Sequence, residues 1–539
     1  MAFSDTIPCQ DTKYGNGDEA KTTAYDNNEG HSDIDSPDGG TAAMTGFVLD
    51  HKAERALCRK LDIRLLPVLA IMFLFNGLDK GNLSNAATAG MAVDLNLKGN
   101  EYNISLGIFY IPFVLTAPFL SVAGKKFGPS RVLPAMMLVF GLMTILMGEI
   151  VVFFSLYCLL CLSLLGLSSD VLRVLVANQS FAGMVALRWF LGMAESAFLP
   201  LIVYYLTTFY RRGELARRMS LFYASSNIAN AFSGLLAYGV FHITNTPLQP
   251  WRYLFLIEGC VTIVFSVFTY FYLPLNPASA HFLSEAERTL SEYRIRVDSS
   301  AVVNQTFVLR DALQIFRQPV TYAFLAIEIC LGVPLQSVAL FLPQIVARLG
   351  YSAVKTNLYT VAPNICGAVV LILLCFSSDF TRLRAPFILI GFVFTLVGFI
   401  IYASIDVLDN LHVAYFATFL MCWGSGAPSI LLCAWYNNNT PDEGRRMALT
   451  GVGVPLANLM GVVSSNIFTA NSKPKYIPAL ATSAAFGATG AVLTSVLFLY
   501  MLLDNKRRDR KLGRKLDIQE TPTELLKDGP SVPEFRWFL

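Results

Sequence analysis

Two hydrophobic stretches of the sequence each contain two residues of opposite charge. Asp79 and Lys80 lie in one stretch, and Arg188 and Glu195 lie in the other. A charged side chain at the centre of a membrane-spanning helix costs roughly 2.5 to 3.5 kcal/mol, so charges that remain there usually face an ion or substrate pathway. The four residues therefore predict a transport site, provided that the helices carrying them bring them together inside a membrane.

The second pair has a spacing that suits coupled binding of a proton and an anion. Arg188 and Glu195 are seven residues apart, which puts them on nearly one helix face and about 10 Å apart along the axis. Burial favours the neutral form of a carboxyl group and a nearby cation favours its charged form, so Glu195 can gain and lose a proton as an anion arrives or leaves. Asp79 beside Lys80 has the same two options. The alternative is that the four groups form buried salt bridges that only hold two helices together, although buried pairs are poor stabilisers.

The composition indicates where these residues lie. Of the 539 residues, 54% are hydrophobic and 15% are charged, whereas a typical soluble protein has about 25% charged residues. We therefore predict a polytopic membrane protein embedded in a lipid bilayer. The net charge of +3 is small, and the cations occur in short clusters between apolar runs, which argues against a nucleic-acid partner.

Motifs of soluble catalysis are absent from the sequence. It has no phosphate-binding loop, no HExxH motif and only five histidines, none spaced as metal ligands. We predict that the protein is not an enzyme, uses no cofactor or metal, and is not driven by ATP.

Twelve apolar runs have about the 20 residues needed to cross roughly 30 Å of hydrocarbon. They lie near residues 65–86, 103–123, 132–149, 182–205, 218–242, 252–273, 322–346, 357–377, 385–404, 411–433, 447–470 and 480–503. Six runs precede a gap and six follow it. The pattern predicts an all-α polytopic membrane protein with 12 transmembrane helices in two six-helix halves.

The polar segments divide the chain into five regions. We predict a disordered cytosolic tail, a first half, a cytosolic linker, a second half and a cytosolic C-terminal tail, at residues 1–60, 61–274, 275–319, 320–504 and 505–539. Basic residues cluster in alternate short loops on the side of the two tails, at Lys125, Lys126 and Arg131, at Arg211, Arg212, Arg217 and Arg218, at Arg382 and Arg384, and at Arg445 and Arg446. Cationic loops stay in the cytosol, so both termini are predicted to be cytosolic.

Residues 149–176 are apolar enough for a further span, but a crossing there would invert every later loop. We predict an atypical insertion that does not span. The alternative is a retained intron that is read in frame, and a uniformly spliced-in transcript across these codons would contradict it.

Five further polar residues lie in or beside predicted spans. Glu258 is predicted to form a charge clamp with a basic loop, and Glu328 is an isolated intramembrane acid that is a further candidate for the transport path. Trp435, Asn438 and Asn439 follow the tenth predicted span and are candidates for hydrogen bonds to a polar substrate. An interfacial anchor is the alternative for the tryptophan.

Several sequence strings resemble one family. In the first half they are LDKGNLSNA, GKKFGPSR, RWFLGMAESAFLP with FYRRGELARR after it, and WRYLFLIEG; in the second half they are FLPQIVARLGYS, SDFTRLR and AWYNNNTPDEGRR. Together they resemble the anion:cation symporter family of the major facilitator superfamily, and most closely its fungal permeases for nicotinate, allantoate and pantothenate. The resemblance covers residues 61–504 except the insertion.

The resemblance implies a major facilitator fold with one central site and alternating access by rocking of the two halves. It implies that Asp79 and Glu195 carry protons and that Arg188 binds the substrate anion. Lys80 stands where the family usually has arginine, so it offers a point charge in place of a bidentate fork.

The superfamily also has a gating motif in its cytosolic loops. The loop after the second span offers Lys125, Lys126 and Arg131 but lacks the usual acidic residue, whereas Asp379 and Arg382 are present in the corresponding loop of the second half. We expect these residues to form the cytosolic gate.

The combined prediction is a monomeric secondary active transporter of the plasma membrane that takes up a small organic anion, such as a nicotinate-like carboxylate, together with protons. Two alternatives stay open: an exporter of an acidic secondary metabolite with the same fold, and a non-transporting nutrient sensor. The direction of transport depends on gradients and coupling.

Overall fold

The computed structural model describes residues 51–148, 180–210, 212–243, 248–300, 309–440, 442–472, 475–514, 530 and 532–539. The regular elements within these ranges are helices, and no strand occurs among them. The predicted insertion at 149–176 lies outside the described residues.

Twelve long helices lie within these described ranges. They are α1 (His51–Thr88), α2 (Glu101–Gly107 and Tyr110–Phe127), α3 (Pro129–Gly148), α4 (Ser180–Glu195 and Phe198–Thr207), α5 (Arg212–Val240), α6 (Pro250–Tyr272), α7 (Pro319–Ala347), α8 (Ala353–Thr381), α9 (Ala385–Ser404), α10 (Leu411–Ser425 and Ala427–Asn438), α11 (Glu443–Ile467) and α12 (Ile477–Leu512). A linker helix, Glu285–Ser300, separates α6 from α7. Short helical pieces occur at Met91–Asp94, Pro277–Ser279, Leu309–Ala312, Leu313–Arg317 and Ala470–Ser472.

Eleven of the twelve long helices are apolar and long enough to cross a membrane. The exception is α5, because it begins with the charged residues RGELARR and only its part at Ile228–Val240 is strongly apolar. With α5 included, the helices match the twelve runs predicted from the sequence. We call the side where α1 begins and α12 ends the terminal face, and the opposite side the far face.

Helix α1 begins earlier than predicted, because residues after His51 that were assigned to the tail are helical. Their charged side chains find partners. Glu54 pairs with Arg294 at 2.8 Å and Lys60 pairs with Glu287 at 2.7 Å, both on the linker helix. The predicted boundary at residue 60 is therefore wrong: this stretch is a helical extension that contacts the linker.

The two halves meet near the far face. Four hydrogen bonds between described residues join them there: Gln344 Nε2 to the Tyr102 hydroxyl, Asn357 Nδ2 to Thr88 Oγ1, Asn103 Nδ2 to the Phe468 carbonyl, and the Tyr110 hydroxyl to Gln336 Oε1. Their lengths run from 2.6 to 3.0 Å. The described helices therefore close the far face.

The last residues of the chain dock on the terminal face of the second half. Phe535 and Trp537 are buried, and Trp537 Nε1 donates to Asp504 Oδ2 at 2.8 Å. Arg536 pairs with Asp509 at 2.8 Å. The predicted C-terminal tail from residue 505 thus begins as helix, since α12 continues to Leu512, and it ends as a packed segment.

Candidate functional site

The four charged residues singled out in the sequence lie together in the first half. Asp79, Arg188 and Glu195 have relative exposures of 2%, 2% and 1%, whereas the Lys80 side chain is 31% exposed. Asp79 and Lys80 come from α1, and the other two come from α4. The cluster is buried, and its lysine is the member that reaches open space.

Glu195 is held from α1. Lys80 Nζ lies 3.7 Å from Glu195 Oε2, and the Asn76 amide donates to the same oxygen at 3.0 Å. The second oxygen, Oε1, is buried without a hydrogen-bond partner among the described residues. One side of this carboxyl group is therefore fixed while the other can take a proton or a donor.

Asp79 is held from α3. The Thr144 hydroxyl donates to Asp79 Oδ1 at 2.6 Å. Asp79 Oδ2 is buried and receives no hydrogen bond from a described donor.

Arg188 is a buried cation with spare donors. Its Nε and Nη2 have no hydrogen-bond partner in the part of the chain that the structure describes. Its guanidinium lies 6.0 Å from the centre of the Phe109 ring. A guanidinium fork with free N–H groups is suited to bind a carboxylate with two parallel hydrogen bonds.

Aromatic rings surround the two cations. Lys80 Nζ is 4.8 Å from the ring centre of Phe113 and 5.9 Å from that of Phe109. Cations are attracted to ring faces at such distances. The same rings can contact a planar organic anion that reaches the cations.

The alternative interpretation required two salt bridges that lock α1 to α4, and only one of them is present among the described residues. Lys80 and Glu195 do connect the helices, but no ion pair of Arg188 occurs among the described residues.

Glu258 on α6 corrects one prediction. It is 2% exposed, and neither of its carboxyl oxygens has a hydrogen-bond partner among the described residues. A charge clamp to a basic loop is therefore wrong. The signal that identified Asp79, an acid inside an apolar run, was present for Glu258 as well.

Glu328 lies apart, in the second half. It is 2% exposed, and its side chain lies near Gly453 and the buried Tyr436, whose hydroxyl has no partner among the described residues. The structure does not bring it into the cluster of the first half.

The prediction that Trp435 and Asn439 bind substrate is corrected by their contacts. The Trp435 indole and the Asn439 amide both donate to the Phe538 carbonyl, at 2.8 and 2.9 Å, and Phe538 N donates back to Asn439 Oδ1 at 2.8 Å. Asn438 is exposed at the end of α10. The two buried residues hold the C-terminal segment on the terminal face, away from the charged cluster.

The predicted gating residues lie at the ends of α2, α3 and α8. Asp379 pairs with Arg384 at 2.5 Å, a partner that the sequence prediction did not include. Lys126 contacts the Phe127 ring at 5.7 Å and Arg131 is exposed. Arg382 caps α8 with a left-handed backbone, φ 57°. The side chain of Lys125 is outside the description, and the gating role of the set stays a prediction.

Fold and site together define a class: a multi-pass helical membrane protein with buried ionisable groups between helices, which is the organisation of a transporter. The Major Facilitator Superfamily model matches residues 69–443. The chain belongs to the Major Facilitator Superfamily.

Relatives and solved structures agree with this class. The chain is 48% identical to an uncharacterised transporter of Schizosaccharomyces pombe, over 94% of each chain. It is 28% identical to the high-affinity nicotinic acid transporter of Saccharomyces cerevisiae, over 90% of this chain and 85% of the relative. Its fold is similar to that of a bacterial homologue of the human lysosomal transporter Spinster in an inward-facing, occupied conformation. That similarity has a TM-score of 0.58 at 12% identity, over 82% of this chain and 97% of the other.

These findings confirm the predicted all-α major facilitator fold and the prediction of a transporter rather than an enzyme. The protein is a multi-pass membrane transporter of the major facilitator type, a class that binds small-molecule substrates.

Proposed function

We propose that this protein is a proton-coupled symporter of a small organic anion in the plasma membrane, with both termini in the cytosol. The observation that carries the proposal is Arg188, a buried guanidinium with unpaired N–H groups. It lies at the same Phe109 ring as Lys80, which follows Asp79 and contacts Glu195. A buried cation with spare donors favours an anionic ligand. Neighbouring acids that can be neutralised allow the bound anion and a proton to move together.

The surrounding rings narrow the substrate class. Phe109 and Phe113 lie against the two cations, so an anion with a flat apolar body fits better than a highly hydroxylated one. The relative named a nicotinic acid transporter supports the same class. We therefore propose nicotinate-like monocarboxylates as the first compounds to test.

Alternating access would follow from the contacts between the halves. In the described conformation the far face is closed by hydrogen bonds such as Tyr110 to Gln336, so the site would exchange substrate with the terminal face. In this proposal, protonation of Glu195 weakens its attraction to Lys80. Lys80 is then available to the incoming anion, and the reverse step releases proton and anion on the other side.

A tracer panel in a yeast strain without its own organic-acid permeases tests this function. Nicotinate and related monocarboxylates would be supplied in acidic and in mildly alkaline medium, with and without a protonophore. We expect uptake that is faster in acid and collapses with the protonophore. Uptake that is unchanged by the protonophore would rule out proton coupling. A panel in which no acid is transported would rule out small organic anions as the substrate class.

The same cells distinguish an exporter from an uptake transporter. Preloaded cells that lose tracer faster when they express the protein, without net uptake in acid, would support export. Cells that respond to the acid without moving it would support a sensor.

A further inference from the structure

Helix α2 is interrupted by a short turn between its two helical pieces, and the second piece begins at Tyr110. The ring of Phe109, the last residue of the turn, lies 5.9 Å from Lys80 Nζ and 6.0 Å from the Arg188 guanidinium. The next residue, Tyr110, donates through its hydroxyl group to Gln336 Oε1 at 2.8 Å. Two consecutive residues of α2 therefore contact the cations of the first half and a residue of the second half.

Helix α4 packs directly on this turn of α2. Arg188, Gly192 and Glu195 are spaced by four and then three residues, so they lie on one face of α4. A Cβ atom at Gly192 would overlap with the carbonyl oxygen of Phe109, so glycine is what permits the close approach. The face of α4 that carries the two charged residues is therefore in contact with the turn that carries Phe109.

The Tyr110 side chain packs on α11 and α7 of the second half. Its ring covers Gly461, where a Cβ atom would overlap with it. Gln336 of α7 accepts the hydroxyl hydrogen bond, and its amide group donates to Asn458 Oδ1 of α11 at 3.4 Å. The rings of Phe109 and Tyr110 meet edge to face, with 5.2 Å between their centres. Close-packed interiors transmit strain, so a displacement of Phe109 also acts on Tyr110 and its hydrogen bond.

We propose that Tyr110 is a positioning residue that connects the charged cluster to the closure of the far face, a role that rests on the proposed function. An anion that reaches both Arg188 and Lys80 shares their surroundings with the Phe109 ring and displaces it. The turn of α2 moves with the ring, and the hydrogen bond from Tyr110 to Gln336 weakens. Binding of the anion thereby favours opening of the far face.

The connection works in both directions, because coupling between two sites is reciprocal. The hydrogen bond that holds the far face closed also opposes the displacement of Phe109 by an anion. Tyr110→Phe keeps the ring and its packing but removes the hydroxyl group. The net contribution of one hydrogen bond corresponds to a population change of roughly twofold to tenfold. We expect the variant to raise the population with an open far face by such a factor.

Hydrogen–deuterium exchange of the purified, detergent-solubilised protein tests the connection without a ligand. Peptides at the start of α2 and between α7 and α8 report opening of the far face. Phe109 and Gln336 are each joined to Tyr110, one by the chain and a ring contact and the other by the hydrogen bond. The effects of Phe109→Leu and Gln336→Leu on the free energy of opening should therefore be non-additive. Gln336→Met serves the same purpose if the leucine variant does not fold.

Thr88→Val provides the matched control for this cycle. It also removes a hydrogen bond between the halves, but that bond joins Thr88 to Asn357 and does not involve Tyr110. Changes at independent sites usually add, so Thr88→Val combined with Phe109→Leu should be additive. Additivity in the cycle of Phe109 with Gln336 as well would overturn the connection.

Nicotinate is the probe for the step that involves the anion. At saturating concentration it should raise exchange at the far face in the wild type and in Thr88→Val. The same addition should cause no increase in Tyr110→Phe, because the hydroxyl group that transmits the effect is missing. An equal increase in all three proteins would overturn the role of Tyr110.

Transport kinetics separate a positioning role from a general loss of packing. In vesicles of known orientation, Tyr110→Phe should lower the KM for a transported acid supplied at the far face and raise it for the same acid supplied at the terminal face. The two values move in opposite directions because apparent affinity follows the fraction of protein that is competent to bind on each side. A KM that rises on both sides would contradict the proposal. If the exchange cycle is non-additive while no acid binds or is transported, the connection stands and the proposed function fails.

Discussion

Lys80 Nζ lies 3.7 Å from Glu195 Oε2 and so joins α1 to α4 within the first half. The contact is longer than a tight ion pair, and the lysine is partly exposed while the glutamate is buried. An arrangement of this kind can open, because the lysine can turn toward an incoming anion while Asn76 keeps its hydrogen bond to the glutamate. The contact between Lys80 and Glu195 can therefore hold the two helices together and also open when an anion binds.

Substitution of Arg188 tests the anion site. Hydrogen bonds to charged groups contribute roughly 1.5 to 3 kcal/mol, so Arg188→Lys, which keeps the charge but loses the fork, should raise the KM for a transported acid roughly tenfold to hundredfold. Arg188→Ala should abolish uptake. Concentration-dependent tracer uptake measures both. Arg310→Lys, the same change at an exposed site on the linker side, is the control, and an unchanged KM in Arg188→Lys would exclude this residue as the anchor.

Glu195→Gln tests proton drive. The amide keeps the shape of the side chain but cannot exchange a proton, so accumulation in acid should be lost while exchange of labelled for unlabelled substrate continues. Uptake and counterflow in the same vesicles measure the two activities. Asp409→Asn, at an exposed position between α9 and α10, should behave as wild type. Full pH-dependent uptake by Glu195→Gln would mean that coupling lies elsewhere.

The far-face closure offers a test of alternating access. Asn357 Nδ2 lies 3.0 Å from Thr88 Oγ1 across the two halves. A variant with both Thr88→Cys and Asn357→Cys should lose transport under mild oxidation, because a bridge would prevent the far face from opening, and should recover it on reduction. Each single cysteine variant is the control. Continued transport by a fully bridged protein would contradict movement at this contact.

The linker contact has a defined pH dependence. The hydrogen bond from Lys60 lowers the pKa of Glu287 below its ordinary value. A carboxylate with a lowered pKa contributes stability at pH values above its unfolded pKa, and this contribution is lost as the pH falls through the lowered value. Because the contact is at the surface, we expect the pair to contribute about 0.2 to 1 kcal/mol to the free energy of unfolding.

Glu287→Gln should therefore make the linker easier to cleave by a protease at neutral pH. The difference from wild type should vanish only in strongly acidic buffer. Glu292→Gln on the same helix is the control. A difference that grew on acidification would reverse the predicted sign.

The docked C-terminal segment should stabilise the second half. Trp537 is buried, and removal of a buried large aromatic side chain costs about 3 to 5 kcal/mol in a protein core. We expect Trp537→Ala to lower the thermal unfolding temperature of the solubilised protein. The decrease is limited to the stabilisation that the docked segment provides, because a segment that has detached has no further contacts to lose. Pro533→Ala changes an exposed residue of the same segment and should have little effect. Equal melting temperatures for both variants and wild type would show that the segment adds no stability.

Much of the architecture was predictable from the sequence. Apolar runs of membrane-spanning length, interrupted by polar loops, specify helices because a lipid environment requires every backbone group to bond within its own segment. Helix α5 shows the limit of that rule, because its strongly charged start makes the helix as a whole too polar to be identified by composition. Its length identifies it instead. Asp79, Lys80, Arg188 and Glu195 were identifiable for the same reason, because ionisable groups in such runs are rare.

Local signals did not reveal which groups would face one another. Glu258 and Glu328 look alike in sequence, as single acids in apolar runs, yet they lie in different halves. The close approach at Gly259 packs the helix of Glu258 on α3, which also carries the Thr144 hydroxyl that donates to Asp79, whereas Glu328 lies beside Gly453. Trp435 and Asn439 looked like site residues, but both donate hydrogen bonds to the carbonyl oxygen of Phe538, about 100 positions later in the chain. The sequence by itself determined the membrane-spanning helices and the charges that they carry. The packing of distant helices, which depends on side-chain shape across the whole bundle, decided which charges became neighbours.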